Sequence, residues 1–348
     1  MSTQIINVST KPVLDEEHVR ALTDKTILIA GAGGYLGTAL ASALCSVRCR
    51  LVALVHRGRF LPVPPESKAS LSYQQVDLAQ SSVWPDVLRD SNPDVIVNLA
   101  AHEHNRNSQH SPAIDLAVNT ATVLELLEAC RDLQLNPRIV LASSANIAGC
   151  PSSSLVNEDT PDQPLTFYAI HKLVAEQYVR YYAKTFDLPA VSLRFANVYG
   201  PLAVRDTELE SRVVLNAIMR RALEGGPLYL YRNQNCVRDF VYLDDAIRAI
   251  CAAATSEKIE FGAKYIIGSG EAFSLREIIT EIARKGGELR SLPVEVHLDE
   301  DAPLQPIEWR NFVADYTRFQ AATGWKPRVK LSQGIDLTLT AFPGGQTQ

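Results

Sequence analysis

A tyrosine, a lysine and a pair of serines have the types and spacing expected for proton transfer at an alcohol or ketone oxygen. Tyr168 is followed four residues later by Lys172, and the pair Ser143 and Ser144 precedes them. Residues four apart share one face of a helix. A phenol has a pKa of about 10, which a neighbouring ammonium lowers toward neutrality, and a serine hydroxyl beside them would stabilise the reacting oxygen. The same spacing also occurs by chance on solvated helices, so its meaning depends on the elements around it.

A glycine-rich turn lies between a β-rich run at 26–30 and a helical pattern at 38–44; it contains Gly31, Gly33, Gly34, Tyr35, Leu36 and Gly37. Glycines let the backbone approach a pyrophosphate, and the following helix N-terminus offers N–H groups and a favourable dipole. A strand before the turn and a helix after it predict a dinucleotide site rather than an ordinary tight turn.

The end of the second predicted strand indicates which dinucleotide binds. An NAD site usually has a carboxylate there, whereas this chain has His56, Arg57 and Arg59. Arginine suits the 2′-phosphate of NADP, so Arg57, with Arg59 as a second candidate, favours NADP(H). NAD(H) stays open, because two basic residues also fit an exposed loop.

Alternating strand and helix patterns predict an α/β fold, a Rossmann-type doubly wound parallel sheet covered on both faces. Strand-like runs occur at 26–30, 51–55, 95–99, 139–142 and 191–193, and the main helical patterns between them at 114–133 and 168–186. Three regions are expected. Residues 1–24 form an N-terminal extension with a short helix, 25–200 mainly a dinucleotide-binding domain, and 201–342 mainly a smaller α/β substrate-binding lobe interleaved with sheet elements.

The overall composition indicates a large core and argues against several classes of partner. The chain has 348 residues, 46% hydrophobic residues and a net charge of −5, which gives no electrostatic case for nucleic acid or an anionic membrane. No apolar run is long enough to span a bilayer, and no signal-peptide core is evident. The six cysteines are scattered and fit buried free thiols, so a cytoplasmic setting is expected.

Further short segments complete a pattern that extends from about residue 26 to about residue 341: 77–78, 98–101, 119, 143–149, 194–201, 238–245, 268–270 and 324–327. Together with the glycine turn and the Tyr168/Lys172 pair, they resemble the extended short-chain dehydrogenase/reductases. Within these, the similarity is to the NAD(P)-dependent nucleotide-sugar epimerases, dehydratases and ketoreductases.

The resemblance implies a role for each matching residue. Ser144, Tyr168 and Lys172 would be catalytic, with Tyr168 as general acid/base and Lys172 also holding the nicotinamide ribose. Asp77 would contact the adenine. The remaining cofactor contacts would be the glycine turn, His56, Leu78, Leu99, Ala100, Ala101, Asn119 and Tyr168. Substrate contacts would be His102, Ser144, Asn146, Asn197 and Arg238. An ion pair of Arg238 with Asp239 or Asp244 is the alternative to a diphosphate contact.

Departures from the family pattern narrow the chemistry. Dehydratases of this group carry an Asp-Glu pair directly after the catalytic serine or threonine, whereas this chain has Ala145 and Asn146. Neither can act as acid or base, so dehydration is not expected. Ala148 stands at a position where the family usually has a tyrosine. Gln305 stands where many epimerases place a second phosphate-binding arginine, and Arg310 is a candidate substitute.

Two reactions fit the resemblance. The favoured one is NADPH-dependent reduction of the C4 ketone of a nucleotide-linked (dTDP in the first instance) 4-keto-6-deoxyhexose in deoxysugar biosynthesis. The alternative is an NAD-dependent 4-epimerase of a nucleotide-diphosphate hexose. A non-catalytic dinucleotide-binding protein is a remote third alternative, since such proteins tend to lose the serine, tyrosine or lysine.

Two partner predictions complete the interpretation. The family often dimerises through the two helices expected at 114–133 and 168–186, so a homodimer is expected. His102, Glu103, His104 and His110 could suggest a metal site, but substrate contacts or ordinary loop residues are the preferred interpretation, and no metal is predicted. His171 is assigned no role.

Overall fold

The computed structural model describes residues 14–56, 64, 66–80, 82–102, 109–203 and 206–342. The strands are β1 (Thr26–Ala30), β2 (Arg50–Val55), β3 (Ser70–Gln75), β4 (Val95–Asn98), β5 (Arg138–Ser144), β6 (Leu155–Val156), β7 (Ala190–Phe195), β8 (Asn197–Tyr199), β9 (Leu228–Tyr231), β10 (Val237–Arg238), β11 (Phe240–Tyr242), β12 (Lys264–Ile267), β13 (Phe273–Ser274), β14 (Val296–Asp299) and β15 (Val313–Ala314).

The α-helices are α1 (Glu16–Leu22), α2 (Tyr35–Leu44), α3 (Trp84–Ser91), α4 (Pro112–Leu116), α5 (Thr122–Asp132), α6 (Phe167–Thr185), α7 (Thr207–Ser211), α8 (Val214–Glu224), α9 (Leu243–Thr255), α10 (Leu275–Arg290), α11 (Thr317–Thr323) and α12 (Leu331–Ala341). A π-helical turn, Ala117–Ala121, joins α4 to α5, and short 3₁₀ helices cover Ala145–Ala148 and Pro306–Trp309.

Seven parallel strands form the main sheet in the order β12-β7-β5-β4-β1-β2-β3. The central strand β1 pairs with β2 on one side and with β4 on the other, so the order of connection reverses there. In open parallel sheets, the carboxyl ends of the strands at this reversal form the ligand crevice. The predicted Rossmann-type fold is confirmed, and the glycine turn leaves the crevice edge of β1.

Both faces of the sheet are covered, as the alternation within β1 shows. Ile27 and Ile29 belong to one buried cluster, which includes residues of α2 and α9. Leu28 and Ala30 belong to a second cluster, to which α3, α5 and α6 contribute. Successive side chains of a strand point to opposite faces of the sheet. Because helices bury β1 on both faces, apolar residues are needed at successive positions, and the sequence of the strand is continuously apolar.

A third buried cluster lies in the second half of the chain and includes side chains of α8, α10 and α12, such as Met219, Ile282 and Ile335. Beside it, β9 and β14 pair in a small parallel sheet. The chain also returns to the main sheet, because β12 pairs with β7. The two halves are therefore interleaved in the sheet, while the domain boundaries given above stay a prediction.

Some local features differ from the sequence patterns. The edge strand β3 was not predicted, because its sequence Ser-Leu-Ser-Tyr-Gln-Gln is polar and none of its residues is buried. The helical pattern that begins at Leu275 predicts an end near Arg284, whereas helix α10 continues through Gly286 and Gly287 to Arg290. Of the cysteines, Cys150 is exposed and Cys236 partly exposed, so the expectation of buried thiols holds only for the other four.

The described end of the predicted N-terminal extension packs onto the body of the protein. Leu14 is buried, and Asp15 forms ion pairs with Arg248 at 3.3 Å and Arg328 at 2.6 Å. In the part of the chain that the structure describes, no helix has the length and apolar composition needed to cross a membrane.

Candidate active site

Two glycines of the turn after β1, Gly31 and Gly37, have no space for a side chain. Gly31 has φ +79°, and a Cβ there would lie 2.7 Å from the backbone nitrogen of Ala100. A Cβ on Gly37 would overlap the carbonyl oxygen of Gly31. Only glycine satisfies both the left-handed backbone and the close approach of the β4 loop, so the turn and the helix α2 start close against the carboxyl edge of the sheet.

A cavity of about 1190 Å³ opens beside this turn. Most of the predicted cofactor residues line it: Gly31, Gly33, Gly34, Tyr35, Leu36, Gly37, His56, Asp77, Leu78, Leu99, Ala100, Ala101 and Tyr168. Arg57 and Arg59 lie outside the described residues, so the structure does not test the residues that favoured NADP. His102 is also part of the lining, as are Ile114 and Val118 from the α4 region.

The described residues fit a bound dinucleotide. The N-terminus of α2, a helix of 10 residues, follows the glycine turn and borders the cavity, which suits a pyrophosphate. Two amides nearby are buried with an unsatisfied atom, Nδ2 of Asn98 and Oδ1 of Asn119. Buried polar atoms normally have a partner, so these can serve a ligand or its ordered water. At the β2 end, Nε2 of His56 lies 3.8 Å from Oδ1 of Asp77.

Tyr168 and Lys172 share one face of α6, as their spacing predicts. The helix starts where the Thr166 side chain accepts a hydrogen bond from the backbone N–H of Ala169 at 3.1 Å. The Nζ of Lys172 lies 5.9 Å from the centroid of the Tyr168 ring and donates to the carbonyl oxygen of Ala142 at 3.0 Å. Tyr168 reaches the cavity, whereas Lys172 is 2% exposed.

Burial sets the charge properties of Lys172. Loss of solvent lowers its pKa to about 8, against the opposing influence of the Asp115 and Glu176 carboxylates. The ammonium therefore persists at neutral pH while being easily titrated just above it. A cation of this kind close to a phenol stabilises the phenolate form.

The two serines before α6 have different surroundings. Ser143 donates a hydrogen bond to Oε1 of Glu176 at 2.5 Å, a carboxylate that also binds Arg194. Ser144, at the end of β5, accepts a hydrogen bond from the backbone N–H of Asn146 at 3.2 Å. Its own proton can thus be donated elsewhere, and the assignment of Ser144 rather than Ser143 as the catalytic serine stays a prediction. Ser144 and Asn119 are buried and do not line the cavity.

A second group of polar residues contains Asn197, Arg238 and Arg310. Arg238 donates to the carbonyl oxygens of Glu308, at 2.8 Å, and Arg310. Arg310 donates to the carbonyl of Ile307 at 3.2 Å and lies 3.5 Å from Oδ1 of Asn197. The tertiary fold thus brings together three residues that are far apart in the chain.

Neither guanidinium forms an ion pair with a carboxylate within the described residues. Asp239 instead accepts hydrogen bonds from the backbone N–H groups of Ser269, Gly270 and Ala314, so the alternative of an Arg238 ion pair with Asp239 or Asp244 is wrong. Burial lowers the pKa of both arginines, and the charge of Arg238 lowers that of Arg310 further. Two neighbouring cations that form no ion pair among the described residues provide a favourable site for an anionic ligand.

One contact beside the tyrosine-bearing helix had no counterpart in the sequence patterns. Asp115 is completely buried, with Oδ1 2.5 Å from Nδ1 of His171 and Oδ2 3.5 Å from Nδ1 of His102. His171, for which no role was predicted, is buried as well. Asp115 and His171 are 56 residues apart, so no local spacing signals their contact.

Among the residues that the structure describes, no group of three or more His, Cys, Asp and Glu side chains could hold a metal ion. Glu103 and His104, which could suggest such a site, lie outside the described residues. His102 faces the Asp115 carboxylate and the cavity instead.

Comparison with known proteins places this geometry in context. Residues 27–268 match the NAD dependent epimerase/dehydratase family. UDP-glucose 4-epimerase of Mycolicibacterium smegmatis is 29% identical over 319 residues, which cover 90% of this chain and 97% of the relative. dTDP-glucose 4,6-dehydratase of Xanthomonas campestris pv. campestris is 24% identical over 343 residues, which cover 92% and 94%.

Solved structures agree in fold over the same length. UDP-glucose 4-epimerase of Thermus thermophilus, in complex with NAD, has a TM-score of 0.74 at 28% identity, covering 90% of this chain and 97% of that protein. MoeE5 in complex with UDP-glucuronic acid and NAD has a TM-score of 0.75 at 26% identity, with the same coverage. Both complexes contain NAD, and the predicted preference for NADP finds no support in them.

Proposed function

Because the chain belongs to the NAD-dependent epimerase/dehydratase family, we propose that it oxidises or reduces C4 of a nucleotide-diphosphate sugar with a nicotinamide dinucleotide. The observation that carries the proposal is the buried, readily titrated Lys172 beside Tyr168, at a cavity that starts from a glycine turn. Such an arrangement suits proton exchange with an alcohol whose carbon exchanges hydride.

Each residue of the set has a separate task in this proposal. Tyr168 exchanges a proton with the sugar oxygen, and the Lys172 ammonium stabilises the phenolate that results. Ser144 donates a hydrogen bond to the same sugar oxygen as negative charge develops on it. The nicotinamide, when bound, supplies or accepts the hydride. His102 and Asn146 remain proposed contacts of the sugar.

The nucleotide part of the substrate would be held away from this chemistry by Asn197, Arg238 and Arg310. A diphosphate provides the counter-charge that the two guanidinium groups lack, and arginine geometry matches phosphate oxygens. Many epimerases have a phosphate-binding arginine where this chain has Gln305, and we assign its task to Arg310. The 3.5 Å distance between Arg310 and Oδ1 of Asn197 supports this assignment.

The first candidate reaction is 4-epimerisation. Named relatives across nearly the whole chain include UDP-glucose 4-epimerases. Dehydratases are also among the relatives, but Ala145 is a buried apolar residue and Asn146 has no acid or base function, so the elimination step lacks its proton-transfer groups. An epimerase needs only the tyrosine, the lysine, the serine and retained cofactor.

The second candidate is reduction of a nucleotide-linked 4-ketosugar by NADPH. It is favoured by the residue at the end of β2, because His56 stands where an NAD site usually has a carboxylate. Arg57 and Arg59 follow in the sequence and would suit a 2′-phosphate.

A pair of assays separates the two candidates. Incubated with catalytic NAD and UDP-glucose or dTDP-glucose, an epimerase forms the C4 epimer while absorbance in the near ultraviolet, which reports the reduced nicotinamide, stays constant. A reductase instead consumes NADPH in proportion to a nucleotide 4-ketosugar, and Arg57→Ala lowers its affinity for NADPH but not NADH. Tyr168→Phe is the negative control for both assays. If the wild-type protein is inactive in both assays, the proposal is refuted.

We also propose a homodimer through α6 and the α4 region. Both carry exposed apolar side chains, among them Leu116, Phe167, Ile170 and Tyr181, and such a concentration marks an interaction surface. Light scattering is expected to give twice the chain mass, and Ile170→Glu is expected to give monomers; a monomeric wild type at micromolar concentration would contradict the proposal.

A further inference from the structure

Arg212 lines the cavity, and neither the sequence patterns nor the proposed reaction gives it a task. It follows α7, and with Glu208 of that helix it borders the same cavity as the glycine turn. Among the described residues of the cavity wall, Arg212 is the one arginine or lysine, and the carboxylates are those of Asp77 and Glu208. A guanidinium is a permanent cation, whereas the imidazole groups of the wall are not.

Hydrogen bonds attach the segment that carries Arg212 to the glycine turn. The hydroxyl of Tyr35, the first residue of α2, donates to the carbonyl oxygen of Gly200 at 2.6 Å. Asn216 of α8 binds the same glycine twice, since Nδ2 donates to its carbonyl oxygen at 2.8 Å and Oδ1 accepts from its N–H at 3.0 Å. Arg212 lies four residues before Asn216, so its backbone is held close to the start of the proposed dinucleotide site.

Helix α7 has an anchor of its own. Glu210 is buried; its Oε1 accepts a hydrogen bond from the N–H of Leu202 at 2.9 Å, and its Oε2 pairs with Arg220 at 2.7 Å. Glu210 lies between Glu208 and Arg212 in the sequence. The backbone under these two charged side chains is therefore fixed, while the side chains themselves reach solvent.

The ion pair of Arg212 is of a kind that a ligand can replace. Its Nη2 lies 2.6 Å from Oε1 of Glu208, and the two side chains are 40% and 62% exposed. Such a pair contributes little to stability, because water solvates both charges. A phosphate offers the guanidinium a bidentate partner, and Glu208 can then turn into solvent.

A nucleotide brings negative charge into this cavity, on the pyrophosphate of a dinucleotide or on the diphosphate of a nucleotide sugar. The glycine turn and the N-terminus of α2 offer N–H groups and a dipole equivalent to about half an elementary charge. The carboxylates of Asp77 and Glu208 oppose the ligand. Within the described wall, the full positive charge that balances a phosphate is that of Arg212.

We propose that Arg212 binds a phosphate group of a nucleotide held in the cavity, in exchange for Glu208. The inference deepens the proposed function and rests on it for the nucleotide ligands. Dinucleotide and nucleotide sugar present the same phosphate oxygens, and separate binding measurements distinguish these two sources. Because Glu208 competes with the ligand for Arg212, the two members of this ion pair have opposite effects on affinity.

The experiment measures affinity directly and needs no turnover. Fluorescence titration with NADH or NADPH, whichever wild type binds more tightly, gives one dissociation constant, and calorimetric titration of the NAD-loaded protein with UDP gives the other. The variants are Arg212→Gln, Arg212→Lys and Glu208→Gln. Arg284→Gln is the matched control, because Arg284 of α10 pairs with Glu288 at 2.6 Å, over the same spacing and with exposures of 51% and 63%, but does not line the cavity.

Arg212→Gln is expected to weaken the binding of at least one of the two ligands by about tenfold or more, the loss of one charge-assisted hydrogen bond. Arg212→Lys keeps the charge without the planar fork and is expected to lose less. Glu208→Gln is expected to tighten the binding of the same ligand about twofold or more, since the competing carboxylate is gone. Arg284→Gln is expected to bind both ligands like wild type.

A purely structural ion pair would give another pattern. Arg212→Gln and Glu208→Gln break the same pair, so both variants would then change affinity in the same direction, or neither would. Unchanged affinity of Arg212→Gln for both ligands, or weaker binding in both variants, would overturn the inference. A wild type that binds neither a reduced nicotinamide dinucleotide nor UDP would instead refute the proposed function.

Discussion

Two arginines, the buried Arg248 and the partly buried Arg310, allow a sharp test of the proposed diphosphate site. Within the described residues Arg248 forms ion pairs with carboxylates and Arg310 forms none. Arg248 forms an ion pair with Asp245 at 2.8 Å and with Asp15 at 3.3 Å. Arg310 contacts only neutral oxygens, at 3.2 and 3.5 Å, and is repelled by Arg238. The same substitution, arginine to methionine, is therefore expected to have opposite consequences at the two positions.

The magnitudes follow from these partners. Arg248→Met leaves the buried Asp245 carboxylate without its cation, while Asp15 keeps Arg328, and loss of a buried partner of this kind costs about 3–5 kcal/mol of stability. Arg310→Met breaks two long contacts worth about 1 kcal/mol at most in total, given their length and the repulsion that is relieved. A diphosphate bound to Arg310 would lose about 2 kcal/mol or more, which is at least about thirtyfold in affinity.

Calorimetric titration of the NAD-loaded protein with UDP and dTDP measures the affinity, and urea unfolding followed by circular dichroism measures stability. Arg310→Met is expected to bind at least about thirtyfold more weakly with a nearly unchanged unfolding midpoint. Arg248→Met is expected to have a clearly lower midpoint but normal affinity. If Arg310→Met binds like wild type, or loses as much stability as Arg248→Met, the guanidinium is a structural ion and the reasoning is wrong.

Three further outcomes are expected. Tyr168→Phe lowers kcat by about a hundredfold or more, while the dissociation constant of NAD, from fluorescence titration, changes far less; activity equal to that of wild type would exclude Tyr168 as acid/base. Gly37→Ala weakens NAD binding and costs about 1–3 kcal/mol of stability, because its Cβ would overlap the Gly31 carbonyl oxygen. Gly34→Ala, whose Cβ would lie 3.3 Å from that oxygen, costs less stability than Gly37→Ala; equal losses in the two variants would contradict the close packing of the glycine turn. Burial lowers the pKa of Lys172 from 10.5 to about 8. At a pH between these two values, Lys172 therefore gains a proton when the protein unfolds. The unfolding free energy of wild type relative to Lys172→Met should thus rise with pH in this window, while kcat/KM falls above about pH 8; the opposite slope would contradict a buried ammonium.

Local patterns predicted those parts of the fold in which burial and periodicity coincide. The buried strand β1, the glycine turn and the helix α6 all lie within a few residues of their predicted positions, because an apolar run and an i, i+4 spacing depend on neighbours in the chain. The polar edge strand β3 escaped detection because hydrogen bonds to β2, rather than apolar burial, hold it in the sheet.

The sequence by itself determined the family and predicted roles for the tyrosine, lysine and serine, since these predictions depend on residue type and short spacing. Only the tertiary structure decided that Arg238 lacks a carboxylate partner, that Arg310 approaches Asn197, and that Asp115 meets His171. Each of these contacts joins residues that the chain separates widely, and the balance of buried charge depends on how the elements pack. Whether a buried charge is compensated depends on which groups lie near it in the folded protein, and the spacing of residues along the chain does not specify these neighbours.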